Sequence, residues 1–310
     1  MARQADPEIR GSGGDEAAPI GARIEAPRLD PGLYLVATPI GAARDITLRA
    51  LDILNAAEVL AAEDTRTLRH LMDIHGIPLR GRRIVAYHDH NADRQRPMLI
   101  EALKGGASVA YTSDAGTPMV ADPGFKLSRD AAEAGARLHA VPGPSAALAA
   151  LTVAGLPSDR FLFAGFPPSA NGARDSWLRQ WASVDATLIL YESPRRVRET
   201  LGKLCEIEPN RIIVICRELT KKFEEVIRGT AQELLERVPE TGLKGEVVLV
   251  LDRPAPVVLE DGDIREELRQ AMTRMSVKDA ARDVAARLGL PRRDVYQLAL
   301  GLASGAGEGD

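Results

Sequence analysis

Ser108-Val109-Ala110-Tyr111-Thr112-Ser113-Asp114-Ala115-Gly116-Thr117-Pro118 holds the change of pattern on which the fold turns. Its first five residues are a short run with β-branched and aromatic members, the composition of a buried strand. The next six are small, acidic or helix-breaking, which suits a loop whose backbone comes close to a ligand. A helical pattern follows at Phe125–Ala134. Together these make the strand, loop and helix of one α/β unit.

The same alternation extends outward in both directions. Upstream, strands are expected at Leu33–Thr38, Val59–Glu63 and Arg83–Tyr87, with helices at Thr47–Ala57, Arg66–His75 and Met98–Lys104. Downstream, a strand at Arg137–Val141 leads into a helix at Ser145–Ala154 that stops at Gly155. Strands and helices taking turns imply a parallel sheet with helices on both faces. Gly and Pro thicken at 155–157 and 165–168, where we expect a hinge. Beyond it, helices at Asp175–Ala182, Arg195–Cys205 and Gln232–Val238 alternate with strands at Thr187–Tyr191, Arg211–Arg217, Glu224–Arg228 and Glu246–Leu251, a mixed sheet under helices.

The expected organisation is therefore a disordered tail at 1–30, an α/β domain at 31–155, a second at 156–252, a linker at 253–263 and a helical segment at 264–302. In that last segment two helices flank Gly289-Leu290-Pro291, and Arg292-Arg293 opens the second of them. The pattern resembles a helix-turn-helix, and a small helical cap that only packs accounts for it equally well.

Two cysteines among 310 residues, Cys205 and Cys216, cannot build a disulfide framework, and neither has a Cys or His neighbour at metal-ligand spacing. There is no apolar run of membrane-spanning length and no signal-peptide pattern, so the expected setting is the cytoplasm. A net charge of -4 provides no overall field for nucleic acid, and any RNA-binding surface has to be local.

Ligands of open α/β sheets bind at the carboxyl ends of the strands. The first such loop, Thr38-Pro39-Ile40-Gly41, has no glycine fingerprint for a pyrophosphate. In the 113–118 loop, Asp114 and Thr117, with Asp122 beyond it, offer hydrogen-bonding atoms to an amine or hydroxyl. Val141-Pro142-Gly143-Pro144-Ser145 ends a strand and opens a helix. Glu63-Asp64-Thr65-Arg66 and His88-Asp89-His90-Asn91 stand at two further strand ends. Plain turns and helix caps are the competing explanation of these residues taken one at a time. His88 and His90 lack a third ligand, so no metal is expected.

Eight segments taken in order are more specific than any one of them: LYLVATPIGAARDIT, AAEDTR, YTSDAGTPMVADPG, VPGPSAALAAL, GLPSDRFLFAGFPP, LYESPRR, RELTKKFEE and KGEVVLVL. Over about Pro31 to Asp252 they resemble the tetrapyrrole-methylase superfamily. Within it they resemble the branch that 2'-O-methylates a cytidine of 16S ribosomal RNA in the small subunit. The resemblance implies the two-domain α/β fold of class III methyltransferases, with S-adenosylmethionine as methyl donor and a homodimer.

The resemblance also implies a cofactor pocket at Thr38, Pro39, Ile40, Gly41, Ser113, Asp114, Gly116, Thr117, Val120, Ser145 and Ala146, closed by Tyr191, Lys244 and Gly245. A ribose hydroxyl is a weak nucleophile, and Glu63, Asp64, His88 and Glu218 are the candidate bases. Arg66, Arg195, Arg196, Arg217, Lys221 and Lys222 are candidates for RNA phosphates. Competing readings are methylation of a tetrapyrrole ring carbon and a nucleotide-sensing, DNA-binding regulator. Only 4% of residues are aromatic, which suits a macrocycle trough poorly.

Overall fold

The computed structural model describes residues 24–120, 124–255, 261–288 and 290–305. Most of the expected tail, Asp122, Gly289 and part of the expected linker lie outside the described residues.

Strands β1 (Gly32–Val36), β2 (Val59–Ala62), β3 (Ile84–Ala86), β4 (Ser108–Thr112) and β5 (Leu138–Val141) form one sheet in the order β3-β2-β4-β1-β5. Every pairing in it is parallel. Helices α1 (Leu48–Ala56), α2 (Thr65–Ile74), α3 (Ala92–Lys104) and α4 (Gly124–Glu133) connect the strands, and α5 (Ala146–Ala154) follows the last. Alternate residues of β1 serve opposite faces. Tyr34 and Val36 pack with Leu54 and Met72 of α1 and α2, whereas Leu33 packs with Leu99 and Leu127 of α3 and α4. That is the two-sided burial a parallel sheet needs.

The second sheet contains β6 (Phe161–Gly165), β7 (Thr187–Glu192), β8 (Ile212–Arg217), β9 (Glu225–Thr230) and β10 (Val247–Leu251), in the order β6-β7-β10-β8-β9. Only β6 and β7 run parallel, so the sheet is mixed. Helices α6 (Asn171–Ala182), α7 (Val197–Ile207) and α8 (Ala231–Arg237) cover one face through Leu178, Leu201 and Leu234. The other face receives α5, whose Ala147, Ala150, Leu151 and Ala154 meet Ile189, Val214, Cys216 and Val250.

Three expectations are revised. The segment expected to be a hinge contains β6, hidden because Phe161-Leu162-Phe163-Ala164-Gly165 sits between Pro157 and Pro167. Helix α3, expected from Met98, starts at Ala92 and carries Pro97 inside it. Helix α5 belongs by sequence to the first half yet packs on the second sheet. Both sheets fall in one compact unit that ends at Pro254.

A separate unit starts at Ala255. It contains α9 (Asp261–Met272), α10 (Val277–Leu288) and α11 (Arg292–Gly305), packed around Leu268, Ala281, Val284 and Val295. Ser276 caps α10, its hydroxyl accepting from the Asp279 amide at 3.2 Å. Among the described residues, no helix is long and apolar enough to cross a membrane.

Candidate active site

Three loops at the strand ends of the first sheet are bonded into one floor. Thr38 and Gly116 exchange backbone hydrogen bonds, with the Thr38 amide donating at 2.9 Å and the Gly116 amide at 3.0 Å. The Thr117 hydroxyl donates to the Pro144 carbonyl at 2.8 Å, which brings in the loop after β5. Gly116 has φ +81°, a left-handed conformation that suits glycine.

The second sheet supplies the roof. The Tyr191 hydroxyl accepts from the Ala147 amide at 3.2 Å, which fixes the tip of β7 to the first turn of α5. Phe163 and Phe166 meet the Tyr191 ring edge-on, with centroids at 4.7 and 5.5 Å. Burial holds the Tyr191 phenol above its usual pKa, so it stays protonated at neutral pH.

A third joint is built on strained backbone. Glu218 and Thr220 have φ of +51° and +63°, conformations that cost a side-chain-bearing residue about 1–3 kcal/mol each. The strain aims their side chains at two neighbouring loops. The Thr220 hydroxyl accepts from the Ala42 amide at 3.1 Å, and Glu218 accepts from the Glu246 amide at 2.9 Å. A Cβ on Gly41 would lie 2.5 Å from Lys221 Cγ, and one on Gly245 would lie 2.4 Å from Glu218 Cδ.

These joints enclose a cavity of about 510 Å³, within the size range of small-molecule sites. Among the expected cofactor residues, Ile40, Ser113, Asp114, Gly116, Thr117 and Val120 line it from the first sheet's loops, along with Ser145 and Ala146. Tyr191 and Gly245 line the opposite side. Thr38 and Gly41 act behind the wall, in the floor bridge and the Thr220 contact. Lys244 is exposed, and its carbonyl accepts from Arg217 at 3.3 Å. The sequence reading missed Phe166, Glu192, Cys216, Leu219 and Glu246, which also line the cavity. A sharper use of strand ends finds most of them, because Phe166 directly follows β6 and Cys216 and Leu219 lie at the end of β8.

The four candidate bases part company. Glu63 lines the cavity, and one of its carboxylate oxygens accepts from the Asp114 amide at 3.3 Å. Asp64 faces away as the N-cap of α2, accepting from the Arg66 amide at 2.8 Å and pairing with its guanidinium at 2.6 Å. That pairing holds the Asp64 carboxyl down at about 2, a poor proton acceptor near neutrality. Glu218 is occupied by Lys221 and the Glu246 amide, which lower its pKa. His88 lies outside the cavity lining, its ring 6.0 Å from that of His90.

The cationic candidates are mostly engaged. Arg196 pairs with the buried Glu192 at 2.8 Å, Arg217 with Glu225 at 2.9 Å, and Lys221 with both Glu218 and Glu246 at 2.9 Å. Arg195 and Lys222 are exposed, and Lys222 stands 5.5 Å from the Phe223 ring. Among the described residues, no group of His, Cys, Asp and Glu side chains is arranged to hold a metal ion.

The match to known families decides where this architecture belongs. The model described as Tetrapyrrole (Corrin/Porphyrin) Methylases matches residues 32–235, and the RsmI C-terminal HTH domain matches 259–303. A Mesorhizobium japonicum protein named ribosomal RNA small subunit methyltransferase I is 47% identical over 93% of this chain and 97% of its own. The chain belongs to the ribosomal RNA small subunit methyltransferase I family of tetrapyrrole methylases. A Halalkalibacterium halodurans member of that family is 38% identical, covering 86% of this chain and 93% of its own. Among solved structures, diphthine synthase matches with TM-score 0.56 at 18% identity over 71% of this chain and 89% of that one. A Thermus thermophilus uroporphyrin-III C-methyltransferase complexed with S-adenosylhomocysteine matches with TM-score 0.50 at 20% identity, over 71% of this chain and 97% of that one. Those two similarities speak to the fold alone. Methyltransferases of this family use S-adenosylmethionine as the methyl donor.

Proposed function

We propose that this protein transfers a methyl group from S-adenosylmethionine to the 2'-hydroxyl of a cytidine in 16S ribosomal RNA, within the decoding region of the small subunit. Relatives named for small-subunit ribosomal RNA support the substrate class. The observation that carries the site is the cavity roofed by Tyr191, floored by the Thr38–Gly116 bridge and carrying Glu63 in its wall.

The residues fit the donor. Ile40, Val120, Leu219 and Tyr191 offer apolar and aromatic surface to a nucleoside, while Ser113, Asp114, Thr117 and Ser145 offer polar atoms to its hydroxyls and amino acid end. When bound, the donor supplies an electrophilic methyl on a sulfonium that leaves neutral. The protein's principal task is then alignment of the acceptor oxygen with that methyl, for which orientation contributes about 7–11 kcal/mol. Glu63 takes the hydroxyl proton, a contribution of roughly 10²–10⁴-fold. Tyr191 stays neutral and holds α5 against the roof.

The α9–α11 unit serves as a second RNA contact, and a homodimer in the cytoplasm is the expected working form. Deleting residues 261–310 is expected to weaken binding to the ribosomal subunit more than binding of the donor.

The experiment combines the purified protein, labelled donor and small ribosomal subunits, followed by nuclease digestion and mass spectrometry. Label on one cytidine ribose is expected. Label on a base, or on a uroporphyrinogen acceptor in place of RNA, would refute the assignment.

A further inference from the structure

A second, open groove lies away from the cavity, between α2 and the segment leading into β3. It encloses about 600 Å³ and is lined by Arg66, Arg69, His70, Arg82 and Arg83, with Asp73 as its one acidic residue. From Thr65 to Ile84 the chain carries five arginines against that single aspartate, in a protein whose net charge is -4. This is the local basic surface that composition requires of a polyanion binder.

The arginines differ in what they are doing. The Arg82 guanidinium donates to the carbonyls of Leu54 at 3.0 Å and Ala57 at 2.6 Å, so it closes the end of α1 with neutral partners. Arg69 holds Asp73 at 3.0 Å in an exposed pair that water and salt weaken, leaving its remaining donors open. Arg83 is exposed beside them. Leu79 and Ile84 add apolar surface to its lining.

Its position matters more than its charge. Strand β2 ends where Glu63 enters the cavity wall, and two residues later Thr65 and Arg66 enter the groove. At no more than about 3.5 Å per residue, the step from one to the other is at most roughly 10 Å. An RNA strand whose sugar reaches Glu63 therefore has its neighbouring phosphates at the groove's mouth. The paired cations of the second sheet offer nothing comparable.

We infer that this groove is a phosphate-binding track for the single-stranded RNA flanking the methylated nucleotide, and that Arg69 and Arg83 are its principal contacts. The inference rests on the RNA-methyltransferase reading above and adds where the strand runs. Arginine suits the role through its fixed fork of donors, and single strands lose affinity with salt by a log–log slope of about 0.7 per phosphate engaged.

The test measures RNA affinity and KM across a salt series for the full chain, with protein-free small-subunit RNA and with intact subunits. The Arg69→Glu/Arg83→Glu double variant is expected to raise Kd and KM for both by tenfold or more. It should flatten the salt slope by about 1.4, two contacts' worth, while donor affinity and thermal midpoint hold. Asp73→Asn, which removes the groove's one acid, is expected to tighten RNA binding two- to threefold. Wild-type methylation with unchanged KM and slope in the double variant would overturn the track and leave the enzymatic reading standing. So would weakened binding to intact subunits with unchanged binding to protein-free RNA, which would mark a protein contact. Failure of the wild-type protein to bind or methylate RNA at low salt would overturn both.

Discussion

Glu218 and Glu246 are tied to each other twice. The Glu218 amide donates to the Glu246 carbonyl at 3.0 Å, and the Glu246 amide returns a bond to the Glu218 carboxylate at 2.9 Å. Lys221 bridges the two carboxylates at 2.9 Å each. Gly245 lies between the partners with φ +86°, and no side chain fits where its Cβ would stand. The joint fixes Leu219 and Glu246 in the cavity wall, so Glu218 acts on the site through its neighbours.

Gly245→Ala should therefore damage the pocket wall by displacing the Glu218–Glu246 joint behind it. The left-handed backbone and the 2.4 Å approach to Glu218 Cδ both oppose the methyl group. Donor affinity measured by calorimetry is expected to fall about tenfold, equivalent to about 1.4 kcal/mol. Unchanged affinity would show that the joint is dispensable.

Glu63 and Asp64 are adjacent carboxylates with opposite expectations. Glu63→Gln should lower kcat by roughly 10²–10⁴-fold with donor affinity preserved. Asp64→Asn keeps a good helix cap and should retain near wild-type turnover, whereas Asp64→Ala, which removes the cap, should lower the thermal midpoint. With its carboxyl at about 2, depressed from 3.8, the cap's electrostatic contribution is present above 3.8 and is lost progressively as pH falls from there through about 2. The acid limb of a kcat profile above pH 4 should therefore be the same in Asp64→Asn. A displaced limb would implicate Asp64 in the chemistry.

Tyr191→Phe leaves the Ala147 amide without its acceptor in a largely buried position. Losing that partner is expected to cost about 1–3 kcal/mol, read as a lower denaturant midpoint, with a parallel loss of donor affinity because α5 is no longer fixed to β7. A silent substitution would mean that water replaces the phenol at no cost.

Cys216 gives a signature at alkaline pH. Burial pushes its thiol from 9.0 up to about 12, so the folded protein keeps the proton where the unfolded chain releases it. Stability from this group is full below pH 9 and is lost as pH rises from there towards 12, at about 1.4 kcal/mol per unit. The raised phenols of Tyr34, Tyr87 and Tyr191 add to the slope only from about pH 10. Cys216→Ala should flatten the decline that begins at pH 9. An identical slope in both proteins would contradict the burial assigned to the thiol.

Much of this architecture can be read from the sequence because local and global signals agree. The run Ser108–Thr112 is a buried strand in both readings, and the small residues after it form the cavity wall. Strand β6 escaped because Gly and Pro on either side of Phe161–Gly165 mark a hinge as readily as a strand. The sequence signal for α3 is shorter than the helix because polar residues and Pro97 hide its first turns, which tertiary packing through Ala92 and Leu99 overrides. For the site, sequence offered four acids and bases with nothing to rank them. Ranking needs direction in space: Glu63 turns inward at the end of β2 while the next residue turns outward to cap α2. The groove stayed hidden for the same reason, since Arg69 and Arg83 become neighbours only when α2 folds back beside β3.

The central claim is that the cavity beneath Tyr191 holds the methyl donor. Calorimetric titration of the full chain with S-adenosylhomocysteine, in the wild-type protein and in Ala146→Trp, tests it most directly. Ala146 lines the cavity at the start of α5, and a tryptophan there fills the space a nucleoside would take. Saturable one-to-one binding by the wild type and none by the folded variant is the expected result. No heat from the wild type, or equal affinity in the two proteins, would contradict the account.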